Sequence, residues 1–151
     1  MRLHLNARIL VINGPNLNML GVREPEVYGS ATLRDLTELL RAHAKEKGVF
    51  LAHFQSNHEG ALIDEIQEAH GKYDGIVINP GAYTHYSYAI YDALKAIDVP
   101  AVEVHISDIA NREEFRKISV TAPACVAQVF GEGFPGYIKA MDILLERIGN
   151  E

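Results

Sequence analysis

Arg8-Ile9-Leu10-Val11-Ile12-Asn13-Gly14-Pro15-Asn16 is the stretch that decides the fold. Its first five residues are a nearly continuous apolar run, which suits a strand covered on both faces rather than one with a wet side. The Asn-Gly-Pro that follows cannot prolong a strand, so the chain must turn there. Outward from this point, short β-branched runs alternate with helical periodicity. Residues 17–31, with Gly21, Pro25, Gly29 and Ser30, read as a loop of the kind that closes as a lid. Thr32 and Asp35 make a capping-box-like start, followed by Leu36, Leu39, Leu40 and His43 at helical spacing up to Gly48. Val49–Phe54 is the second strand, Leu62, Ile66 and Ala69 mark a helix, and Gly75–Asn79 is the third strand. Ala89, Ile90, Ala93, Leu94 and Ile97 form the next helical stripe. Pro100–Val104 and Ala124–Phe130 supply strands four and five, with one short helix expected over Asn111–Lys117 between them. Ile138, Met141, Leu145 and Ile148 make the last helical face.

Five strands separated by helices imply a parallel, doubly wound α/β sheet, because parallel neighbours need crossover connections. The expected strand order is the flavodoxin-like 2-1-3-4-5, in a single catalytic domain over residues 1–151. In such sheets the crevice lies at the carboxyl ends of strands one and three, where the winding reverses. Function is therefore expected just after Ile12, Ile78 and Val104. The bulk numbers agree with a one-domain reading: 151 residues, 48% of them hydrophobic, are enough for a real core. A net charge of −6 argues against a nucleic-acid or anionic-membrane surface, which leaves the arginines as local anion clamps. The single cysteine, Cys125, rules out a disulfide within the chain and suits a reducing compartment; it is expected to be a buried small hydrophobe. No apolar h-region opens the chain, and no stretch approaches the roughly 18 apolar residues of a membrane span, so the expected location is cytoplasmic.

All three expected strand ends carry chemistry-bearing side chains. Asn16 follows strand one; Asn79 and His85 follow strand three; Glu103, His105 and Ser107 cluster at the end of strand four. Singly, each has an ordinary explanation as a turn, cap or structural residue. Their convergence on one crevice points to a site. Glu103 precedes His105 by two residues, so on a strand the two side chains share a face. A carboxylate there fixes the tautomer of the imidazole and favours its charged form, as a proton donor near neutral pH requires. On spacing alone, an ordinary strand-end pair fits equally well. Tyr28 and Arg23 share the lid, and Arg112 and Arg116 follow strand four. Ionising a free tyrosine at pH 7 costs roughly 4 kcal/mol, much of which close guanidinium groups in a dry site could supply. From these residues alone, the plainer reading of a loop-capping phenol and surface arginines stands ahead.

Several familiar motifs fail on context. Gly131–Gly136 matches G-x-G-x-x-G, but it follows the last strand, so no later strand delivers an acidic ribose ligand; it reads as a structural turn. His58-Glu59 lacks a second histidine, since Leu62 stands in its place, and there is no P-loop. The expected site works without metal or cofactor.

Five motifs carry a resemblance. Ile12-Asn13-Gly14-Pro15-Asn16-Leu17-Asn18, Arg23-Glu24-Pro25-Glu26-Val27-Tyr28-Gly29, Gln55-Ser56-Asn57-His58-Glu59-Gly60, Asn79-Pro80-Gly81-Ala82-Tyr83-Thr84-His85, and Val102–Ser107 with Arg112–Arg116 behind it closely resemble type II 3-dehydroquinate dehydratases. The likeness runs from about Arg8 to about Ile148. It implies dehydration of 3-dehydroquinate to 3-dehydroshikimate in the shikimate pathway, and a homododecamer built as a tetramer of trimers. By position, Tyr28 resembles the base, Arg23 the lid arginine that keeps it ionised, His105 the general acid and Glu103 the residue that orients it. Asn16 resembles the residue that stabilises the enolate through a water. Asn79, His85, Asp92, Ile106, Ser107, Arg112 and Arg116 fall where the family binds substrate or completes the pocket. The type I enzymes, which use a lysine Schiff base on another fold, are not resembled. Tyr86, Tyr88 and Tyr91 depart from the pattern, and are expected to face partly into helix packing or a subunit contact. The rival reading is a non-catalytic flavodoxin-like binding module.

Overall fold

The computed structural model describes residues 6–22 and 25–149, with backbone alone at Val27 and Tyr28. Five strands form one all-parallel sheet: β1 (Arg8–Asn13), β2 (Phe50–Gln55), β3 (Gly75–Asn79), β4 (Ala101–His105) and β5 (Ala127–Phe130), in the order β2-β1-β3-β4-β5. Helices α1 (Pro25–Tyr28), α2 (Leu33–Lys47), α3 (Glu59–Glu68), α4 (Tyr88–Ala96) and α5 (Pro135–Gly149) connect or follow them.

The apolar run of β1 is buried on both faces, as its composition requires. Ile9 and Val11 pack with Leu36 and Leu40 of α2 and Met141 and Leu144 of α5. Leu10 and Ile12, one residue out of phase, pack with Leu62 and Ile66 of α3 and Ile90 and Leu94 of α4. The sheet is thus the middle of three layers. α2 starts at a true capping box: the Thr32 hydroxyl accepts from the Asp35 N–H, and the Asp35 carboxylate accepts from the Thr32 N–H.

Two segments differ from the sequence reading. Residues 17–31 are not all irregular, since Leu17–Met19 forms a 3-10 turn and Pro25–Tyr28 a single helical turn. The helix expected over Asn111–Lys117 is instead two 3-10 turns, Ile109–Asn111 and Glu114–Arg116; Asp108 caps the first, and Arg112 between them is extended. The polar pattern there lacks the apolar stripe that would hold a longer helix against the sheet. Tyr86 and Tyr88 are 60% and 69% exposed and so lie outside the helix packing of this chain, which leaves the subunit-contact side of the expectation for them.

The loops after β1 and β3 cross at very close range. Gly14 N–H donates to the Asn79 carbonyl at 2.7 Å, and a Cβ on Gly14 would stand 2.5 Å from the Pro80 oxygen. Only glycine permits that approach. This crossing brings the ends of β1 and β3 into one crevice.

Candidate active site

At the carboxyl ends of β1, β3 and β4 lies an open cleft of about 440 Å³. Asn79, Gly81, Ala82 and His85 line it from the β3 loop, and His105, Ile106 and Ser107 from β4 and its extension. Arg112 and Arg116 close one side, and Leu17 and Ile109 give it apolar walls. The Asn79, His85, His105, Ile106, Ser107, Arg112 and Arg116 singled out in the sequence therefore meet in one place. Asp92 does not join them: it is exposed on α4 and lines no part of this cleft. Asn16 sits beside Leu17 at the crevice edge without lining the cleft. Arg23 lies outside the described residues, and so does the Tyr28 side chain.

His105 and Glu103 share a face of β4, and their side chains meet: Nε2–H donates to Glu103 Oε2 at 2.9 Å. That bond leaves Nδ1 of His105 for the cleft. Glu103 is completely buried. Its Oε2 also accepts from the Ser119 hydroxyl at 2.7 Å and the Gln128 amide at 2.9 Å, while Oε1 accepts from the Thr121 hydroxyl. Burial pushes this carboxyl upward, but the bond and charge of His105, with the Thr121 and Ser119 hydroxyls, outweigh it and hold Glu103 below the ordinary value. Thr84 stands 2.8 Å from both hydroxyls. Since Ser119 and Thr121 give their hydrogens to the carboxylate, Thr84 is the donor there, and its single hydrogen serves one of the two oxygens at a time.

His85 is tied at Nδ1 to the Ile118 carbonyl at 2.8 Å. A carbonyl only accepts, so Nδ1 carries the proton and Nε2 is left as an acceptor. Burial holds this imidazole below its ordinary value, so it is neutral near pH 7. Arg116 Nε donates to Glu113 Oε2 at 2.6 Å, and Arg112 Nη1 to the Ser107 hydroxyl at 3.2 Å. The bond from Arg116 and the nearby Arg112 keep Glu113 below the usual carboxylate range. Two guanidinium groups beside a neutral imidazole acceptor and the His105–Glu103 pair suit a small anion rich in hydroxyls.

Asn16 has a left-handed backbone, φ 70°, a conformation that asparagine tolerates better than most non-glycine residues. Its N–H donates to Asn57 Oδ1 at 3.0 Å, and Gln55 Nε2 reaches Gly14 O, Asn18 Oδ1 and Asn57 Oδ1. Ser119, Thr121, Gln128 and Asn57 are functional neighbours that the sequence reading assigned no role. Their signal was faint: Ser119 and Thr121 lie in an irregular segment before a 3-10 turn, and Gln128 stands opposite Glu103 in the β4–β5 register. Cys125 is half-buried rather than buried; burial and the charge of Glu103 push its thiol up to about 12. The Gly131–Gly133 turn carries positive φ at both glycines and leads into α5 at Pro135; its N–H groups donate to the Ser107 and Ile106 carbonyls, so it backs the cleft wall as a structural turn. Among the described residues, no three His, Cys, Asp or Glu side chains gather as a metal cage would require, and no helix is long and apolar enough to cross a membrane.

Comparison with known proteins gives a consistent picture. The family described as Dehydroquinase class II matches residues 7–145. A 3-dehydroquinate dehydratase of Bacillus cytotoxicus is 57% identical over 142 residues, which is 94% of this chain and 97% of that protein. One from Caldicellulosiruptor saccharolyticus is 57% identical over 143 residues, covering 94% and 99%. Among solved structures, the type II dehydroquinase of Butyrivibrio crossotus superposes with a TM-score of 0.91 at 55% identity, over 92% of this chain and 97% of that one. That of Propionibacterium acnes gives 0.88 at 39% identity, over 98% and 99%.

Proposed function

The chain belongs to the class II dehydroquinase family, and on that premise we propose how it dehydrates 3-dehydroquinate to 3-dehydroshikimate. The observation that carries the reading is the convergence of the His105–Glu103 pair, neutral His85, Ser107 and two arginines on one cleft. Tyr28, as tyrosinate, removes the proton α to the ketone. Arg23 supplies the positive charge that offsets the roughly 4 kcal/mol needed to ionise a free phenol at pH 7. Such a proton leaves only if charge developing on the enolate oxygen is met by a donor, a role that falls to Asn16 through a water. For the next step His105 holds hydrogens on both nitrogens: Nε2–H stays on Glu103, which keeps the ring in place, while Nδ1 gives its proton to the departing hydroxyl, so water leaves on the face opposite the base. Asn79, His85, the Ile106 and Ser107 segment, Arg112 and Arg116 hold the hydroxyls and carboxylate of the substrate. Asp92, exposed in a single chain, meets the site only across a contact between copies. The assembly proposed is a homododecamer, a tetramer of trimers; the exposure of Tyr86, Tyr88, Phe115 and Ile118 supports buried contacts between copies. The working location is the cytoplasm, and a half-buried free thiol suits a reducing compartment.

The test is a turnover assay with 3-dehydroquinate, read as the rise of conjugated-enone absorbance without added metal or cofactor. Tyr28→Phe is expected to abolish turnover while substrate binding remains measurable, and near-normal turnover would sink the base assignment. Inactivation by borohydride in the presence of substrate would point to a Schiff base and contradict the mechanism.

A further inference from the structure

Tyr137 of α5 heads the fully buried side chains by volume, and it carries a hydroxyl into the core. Burial raises its phenol well above the ordinary value, so it acts as a neutral group with one hydrogen to give. That hydroxyl stands 2.5 Å from Asn13 Oδ1 and 2.9 Å from Asn79 Nδ2. Asn13 and Asn79 are register partners at the ends of β1 and β3, at the floor of the crevice.

Donor and acceptor rules fix the direction of every bond in this group. The Gly81 N–H lies 3.0 Å from the far side of the Asn79 amide. A backbone N–H only donates, so the atom facing it is Oδ1, and Nδ2 must face Tyr137. Tyr137 therefore accepts from Asn79 and gives its one hydrogen to Asn13 Oδ1. Asn13 Nδ2 then points at His53 Nε2, 3.0 Å away on edge strand β2, and that nitrogen must accept. The His53 ring is thus neutral with its proton on Nδ1; burial, with the charge of Arg41, lowers its proton affinity accordingly. A one-way line of donors runs from the cleft, through Asn79, Tyr137 and Asn13, to the sheet edge. An amide nitrogen has two hydrogens. One of those on Asn79 is committed to Tyr137, and the other remains for a molecule in the cleft that Asn79 lines.

We propose that Tyr137 is a positioning residue for substrate binding, whose hydroxyl fixes the Asn79 amide so that its second N–H is presented to a substrate oxygen. The inference rests on the reading that Asn79 holds substrate. It acts on binding in ground and transition state alike, so it appears in KM more than in kcat.

Tyr137→Phe removes the hydroxyl and keeps the ring. The expected result is a KM for 3-dehydroquinate raised about tenfold, the scale of one buried hydrogen bond, with kcat within roughly twofold of wild type. A double-mutant cycle with Asn79→Ala separates the two readings. If Tyr137 acts through Asn79, adding Tyr137→Phe to Asn79→Ala leaves KM where Asn79→Ala set it. Independent, multiplying effects overturn the positioning role while leaving Asn79 as a substrate ligand. An unchanged KM in Asn79→Ala removes the substrate-holding reading itself, and this inference with it. Should Tyr137→Phe fail to fold by circular dichroism, the half-exposed end of the line carries the test. His53→Leu deletes the last acceptor and is expected to raise KM, whereas His53→Gln, which offers a carbonyl oxygen, restores it. A KM unmoved by His53→Leu overturns the inference.

Discussion

At the scale of single residues, the centre of interest is a carboxylate that stays charged without a permanent cation in contact. Every partner of Glu103 other than His105 is a neutral hydroxyl or amide. Among the described residues, its Oε1 accepts from Thr121 alone, whereas Oε2 has three partners. Thr121→Val keeps the shape and leaves Oε1 buried without a donor, so a loss of about 1–3 kcal/mol is expected in urea denaturation near neutral pH. The pH dependence follows in sign. A folded value below the ordinary 4.5 means that Glu103 contributes stability above 4.5, lost as pH falls through its depressed folded value. The gap between wild type and Thr121→Val should therefore narrow well below pH 4.5. A gap independent of pH would show that the carboxylate charge is not what Thr121 supports.

At the scale of elements, the sheet was legible because its strands are buried on both faces and so read as unbroken apolar runs. Arg8–Ile12 and Gly75–Asn79 were placed to within a residue for that reason. Strand ends were legible as places, since a parallel sheet puts its loops at predictable ends, and the motifs there resembled a known family. Segments without a periodic apolar face were not: the stretch from Ile109 to Arg116 is stitched by local bonds from Asp108 and Glu113, which no periodicity announces. Nor could pattern show that Ser119 and Thr121, sixteen and eighteen residues beyond Glu103, bend back to its carboxylate. The loop crossing gives a sharp element-scale expectation. Gly14→Ala forces a Cβ to 2.5 Å from the Pro80 oxygen, so the β1 and β3 loops must part. Because Asn79 and His85 belong to the displaced loop, kcat/KM should fall by at least about tenfold, a barrier change of about 1.4 kcal/mol. Activity within twofold of wild type would mean that the crossing does not set the geometry of the cleft.

For the whole molecule, one chain leaves large apolar groups exposed on the segments that follow the cleft residue His85 and flank Arg116. Tyr86, Tyr88, Phe115 and Ile118 are each at least 60% exposed, and the Tyr83–Tyr86 ring pair extends the same surface. Sedimentation equilibrium should find twelve copies together, and Tyr88→Glu should shift the population toward smaller species. A monomer at micromolar concentration would contradict the proposed assembly. Asp92 connects the two scales: if it serves the cleft of another copy, Asp92→Ala should lower kcat/KM without altering the mass of the assembly. The charge, the fold class and the crevice could all be read from one chain, whereas what covers these groups could not, because sequence patterns report burial within the chain that carries them.

The bond from Tyr137 to Asn13 joins residues 124 positions apart. Asn13 leaves the ribosome early and waits for its partner; at about 5–20 residues per second, that wait is roughly 6–25 s. Until α5 docks, Asn79 has its bond from Gly81 and Asn13 its bond to His53, but the hydroxyl that joins the two amides is missing. The crevice floor is therefore completed last, after every side chain that lines the cleft has already been synthesised.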